Sequence, residues 1–114
     1  MGKLETAFRI HLMINLFIGV SFLLYLRSLE TDADLIKTIN RMLYALIGIS
    51  TLLMLISPFS KIGAVLTLAN TAMWVYLLIE SYTLSKATRF STAYHLYIAV
   101  IVIILIKDVG IMLL

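Results

Sequence analysis

Four runs of about twenty mostly apolar residues, joined by short polar connections, limit what this chain can fold into. They cover Ala7–Leu26, Thr38–Ser57, Lys61–Thr83 and Ser91–Lys107, giving expected spans of residues 7–26, 38–57, 61–83 and 91–107. A hydrocarbon core ~30 Å thick takes roughly 20 helical residues, which is the length of each run. Membrane strands are about half as long and alternate apolar with polar residues. These runs do not alternate.

Composition agrees. Of 114 residues, 62% are hydrophobic and 13% charged. A soluble domain has a large surface to cover with polar groups and carries about 25% charged residues. The expected fold is an all-α membrane protein: a four-transmembrane-helix antiparallel bundle with short loops, a single integral-membrane domain over residues 1–114. Ser57-Pro58-Phe59-Ser60 supplies a break, because proline lacks the N–H a continuing helix needs. Thr31 followed by Asp34 has the spacing of a capping box, so the second helix is expected to begin a few residues before its apolar run. Gly19 and Ser21 resemble a cleavage site, but the run continues to Arg27 and no signal peptide is expected.

The net charge of +3 is small and dispersed, which excludes a nucleic-acid footprint. The basic residues flank the apolar runs. Lys3, Arg9, Lys61 and Lys107 fall on the N-terminal side, and Arg27, Lys37, Arg41, Lys86 and Arg89 on the other. This near-balance gives only a slight bias under the positive-inside rule. The acids Glu30, Asp32 and Asp34 tip it toward an inside N-terminus in a cell membrane. With no cysteine, disulfides, thiolate catalysis and Cys-ligated metal or iron–sulfur sites are excluded.

Candidate functional residues are the polar groups inside the apolar runs. At ~1.5 Å rise per residue, His11 lies about 6 Å and Asn15 about 12 Å from the N-terminal face, and Asn70 about 14 Å. An antiparallel fourth helix returns Lys107 and Asp108 to within about 5 Å of that face. Neighbouring helical residues point about 100° apart, so Lys107 is expected to snorkel outward while Asp108 turns inward. Aspartate near a helix C-terminus opposes the dipole, and a cation from Arg9, His11 or Lys61 is its expected partner. Gly110 is then expected to cap the helix. His11, Asn15, Asn70 and Asp108 form either a structural polar layer or a pathway.

His11 and His95 lie roughly 15–20 Å apart along the membrane normal, too far to ligate one haem iron, and neither has zinc spacing. No metal or other cofactor is expected. Gly19 on the first helix, with Gly63, Thr67 and Thr71 on the third, makes small-residue faces suited to close helix packing. All six tyrosines, Tyr25, Tyr44, Tyr76, Tyr82, Tyr94 and Tyr97, lie with Trp74 in the half away from the N-terminus. They are expected to form a one-sided aromatic face, either an interfacial belt or a docking surface.

No nucleophile has a base beside it, and no glycine loop is arranged to hold phosphate, so an enzyme is not expected. Four spans with nearly balanced flanking charge are similar in outline to the small multidrug resistance family of antiparallel dimers. That family depends on a glutamate embedded in its first span. Here the core half of the first span offers only Asn15 and small residues, so the likeness stops at the outline. The function expected is a non-catalytic integral-membrane subunit, in contact with lipid and packed against copies of itself or other membrane subunits. The alternative is a small homo-oligomeric transporter or channel.

Overall fold

The computed structural model describes residues 2–56 and 63–112. These residues form four helices: α1 Gly2–Leu29, α2 Ala33–Ile56, α3 Gly63–Ala87 and α4 Ser91–Met112. Three are long and apolar enough to cross a membrane, over Arg9–Leu29, Ala33–Leu55 and Ser91–Gly110. The break at Pro58 and the start of the third expected span, from Lys61, lie outside the described residues.

The helices extend beyond the apolar runs because backbone hydrogen bonding continues where polar side chains take over. α2 starts at Ala33, where the Asp32 carboxylate accepts a hydrogen bond from the Asp34 N–H at 2.8 Å. The cap is therefore Asp32, not Thr31. α4 runs through Gly110 to Met112, and no described glycine has positive φ. The expected glycine cap is not formed, and the fourth helix is a turn longer than its apolar run implies.

Each helix buries one stripe at three- and four-residue spacing. On α1 it runs Leu12, Asn15, Gly19, Leu23, Leu26, and on α2 Ile39, Met42, Leu46, Ser50, Leu53. On α3 it runs Asn70, Trp74, Leu77, Ser81, Leu84, and on α4 Tyr94, Tyr97, Ile101, Ile104. This is the seam of a helix bundle. α1 packs on α2, α2 on α3, α3 on α4, and α4 returns to α1. The longest dimension is 46 Å, close to the ~42 Å length of one 28-residue helix, so the helices share one axis.

The outward faces carry many large apolar side chains. Phe17, Leu55, Leu68, Ile103 and Ile106 are each more than 60% exposed. A helix apolar all round is suited either to the interior of a large protein or to lipid. Hydroxyls along these helices bond the preceding turn: Ser28 Oγ donates to the Tyr25 carbonyl, Thr83 Oγ1 to Ile79 and Ser85 Oγ to Tyr82.

Candidate functional site

Two hydrogen-bonded clusters of polar side chains lie inside the bundle, one toward each end, with other buried polar atoms elsewhere along it. The first follows from the stripes. Asn15 continues the buried face of α1 and Asn70 that of α3. Asp108 stands four residues beyond Ile104, the next core position on α4. The Asn15 Nδ2 donates to both oxygens of Asp108, at 3.1 Å each, and the Asn70 Nδ2 donates to Oδ2 at 2.8 Å. Three helices therefore meet on one carboxylate. The two asparagines, 1% and 2% exposed, supply N–H donors where water has little access.

Lys107 does not point outward as expected. Its Nζ donates to Asn15 Oδ1 at 2.9 Å, so the Asn15 amide sits between the ammonium and the carboxylate. Of the cations expected to face Asp108, His11 leaves Nδ1 without a partner and Lys61 lies outside the described residues. Amide donors fill much of that role, for a geometric reason: Asn15 and Asn70 sit at the same level on facing stripes and reach Asp108 directly.

The second cluster was not anticipated. Glu30, 8% exposed, accepts hydrogen bonds at Oε2 from the Tyr94 hydroxyl, at 2.8 Å, and from the Thr88 hydroxyl. Thr88 Oγ1 in turn accepts from the Phe90 N–H at 3.1 Å, which shapes the turn into α4. Glu30 thus ties the α1–α2 connection to the α3–α4 connection. The available signal is register: Leu23, Leu26 and Glu30 continue one three–four stripe. In the sequence Glu30 stands beside Thr31, Asp32 and Asp34 and looks like one more exposed acid.

Between the clusters lies a layer filled by Trp74, which is completely buried. A Cβ on Gly19 would sit 2.6 Å from Leu46 Cδ2 and 3.0 Å from Trp74 Cη2. Glycine there is what allows an indole on α3 to lie against the α1 backbone. Of the other small residues expected to pack helices, Thr71 is half-buried, and the surroundings of Gly63 and Thr67 lie outside the described residues.

The expected single aromatic face divides in two. Trp74, Tyr94 and Tyr97 are core, with Tyr97 stacked on Phe22 at 5.5 Å between ring centroids. Tyr25, Tyr44 and Tyr82 are exposed, and Tyr76 is half-buried. The Lys86 ammonium lies 4.5 Å from the centre of the Tyr82 ring. His95 is exposed and belongs to neither cluster. Among the described residues, no three His, Cys, Asp or Glu side chains come together as a metal would require. The chain matches no family model, no curated protein and no solved structure.

Proposed function

We propose that this chain is a non-catalytic integral-membrane subunit, an antiparallel four-helix bundle whose apolar outer surface meets lipid and neighbouring subunits. One observation carries this reading: large apolar side chains such as Phe17, Leu55, Leu68 and Ile106 stand on the outer faces, while two carboxylates lie between the helices with their hydrogen-bond donors. Asp108 is held by Asn15 and Asn70, and Glu30 by Thr88 and Tyr94, with Trp74 packed between the two sites. In hydrocarbon an unpaired polar group costs several kcal/mol, so such clusters serve first to fix the helix arrangement. Its partners are copies of itself or other membrane proteins, in a cell membrane with the N-terminus inside.

The test is native mass spectrometry after mild extraction from the source membrane. Other proteins retained at fixed stoichiometry support an accessory subunit; a monomer that carries no protein contradicts it.

A second reading, a small homo-oligomeric channel or transporter, draws on a different observation. His11 Nδ1, Asn70 Oδ1, Trp74 Nε1, Ser81 Oγ and Tyr97 Oη are buried without a protein partner, at several levels along the bundle. Solute flux in proteoliposomes separates the two. Flux that is lost in Asn15→Leu or Asp108→Asn, with folding intact, favours transport; no flux above empty vesicles favours the subunit.

A further inference from the structure

A cleft of about 370 Å³ opens between α1 and α4 at the end of the bundle that carries Glu30. Its walls are Phe22, Tyr25 and Leu29 from α1 with Ala93 and Leu96 from α4, and Arg89 stands at its rim. The volume lies within the roughly 300–1,000 Å³ range of small-ligand sites. The walls are largely hydrocarbon and aromatic, whereas the rim carries a permanent cation. Arg89 is exposed, its guanidinium lies 5.7 Å from the Phe90 ring centre, and no carboxylate among the described residues pairs with it.

The cleft also sits at a particular level. The α1 span ends at Leu29 and the α4 span begins at Ser91, so Arg89 falls at the boundary where lipid headgroups lie. α4 begins at that boundary, and the positive end of its dipole adds to the field there. The nearest acid in sequence to the α1 wall, Glu30, is turned to Thr88 and Tyr94 and does not line the cleft.

We propose that this cleft holds one anionic phospholipid, its headgroup phosphate on Arg89 and the start of an acyl chain along Phe22, Ala93 and Leu96. The proposal rests on the membrane reading above. A phospholipid is the occupant that matches an apolar floor under an exposed guanidinium at headgroup level, and net negative charge is what a zwitterionic lipid lacks. One basic residue near an anionic headgroup is worth about fivefold in association.

The full chain is first mixed with phosphatidylcholine vesicles and floated on a gradient. It is then transferred to detergent with equal amounts of phosphatidylglycerol and phosphatidylcholine, and native mass spectrometry counts the lipids retained. One phosphatidylglycerol is expected per chain, preferred about fivefold over phosphatidylcholine. Arg89→Gln removes the preference, Ala93→Phe removes the retained lipid, and Lys86→Gln, outside the cleft, changes neither. A chain that does not float loses the membrane reading and the lipid site together. A chain that floats but shows no preference, or loses it equally in Arg89→Gln and Lys86→Gln, or retains a second copy of itself and no lipid, overturns the lipid site alone.

Discussion

Each end of the bundle holds a carboxylate bonded by side chains of other elements, and the two are satisfied in opposite ways. Asp108 lies within a helix and is met by amide donors from two other helices, with Lys107 one hydrogen bond further out. Glu30 lies just past the end of α1 and is met by hydroxyls, one from a turn and one from the first turn of α4. The first arrangement fixes how three helices stand against one another. The second fixes how two connections meet. Glu30 is the more deeply buried carboxylate, but Asp108 takes three hydrogen bonds from two other helices against two hydroxyls on Glu30, so losing Asp108 strands donors on more of the bundle.

The largest effect is therefore expected at Asp108. Asp108→Leu leaves the Asn15 and Asn70 amide donors without their charged acceptor and is expected to cost about 3 kcal/mol. Denaturation in mixed micelles measures it, and a loss below about 0.5 kcal/mol would mean the cluster does not hold the helices. Next is the layer between the ends. Gly19→Leu pushes against Trp74 and Leu46 and is expected to cost about 2 kcal/mol by overpacking, read in the same denaturation. Tyr94→Phe removes one hydrogen bond to Glu30 and is expected to cost about 1 kcal/mol.

The smallest expected effect is the coupling between the ends. Asn15 and Glu30 are separated along α1 by about 22 Å, so Asn15→Leu and Tyr94→Phe should add within about 0.5 kcal/mol. Asn15→Leu with Asp108→Leu should fall well short of additive, because the two share one hydrogen-bonded group. A double-mutant cycle that found the two ends coupled as strongly would merge them into a single network.

The same comparison explains what the sequence disclosed. Asn15, Asn70 and Asp108 are conspicuous as polar residues within or at the end of apolar runs, and helical rise places the two asparagines at one level; it sets Asp108 nearer the face, whereas the structure bonds it to both asparagines. Glu30 is hidden by its neighbours: an acid beside Thr31, Asp32 and Asp34 carries no mark of burial. Sequence does not settle the direction of Lys107, because snorkelling outward and reaching the Asn15 amide are both open to its long stem. Sequence does not separate the buried Trp74, Tyr94 and Tyr97 from the exposed Tyr25, Tyr44 and Tyr82 for a related reason. When both faces of a helix are apolar, composition does not separate core from lipid side, and only the three–four register does. The helices run a few residues past the apolar runs because those runs report hydrocarbon thickness, whereas helices end where their caps are, as at Asp32.

The central claim is that the apolar outer surface faces lipid, with the connections after α1 and α3 on one side. Because the chain has no cysteine, single introduced thiols can report this against no background. Phe17→Cys and Ile103→Cys place them on side faces that are 74% and 63% exposed in the native residues, and Thr31→Cys and Arg89→Cys place them at the connections. In oriented membrane vesicles treated with a membrane-impermeant maleimide, the account predicts that positions 17 and 103 stay unlabelled while 31 and 89 label together from the same side. Labelling of positions 17 and 103 as fast as 31 and 89 would contradict it.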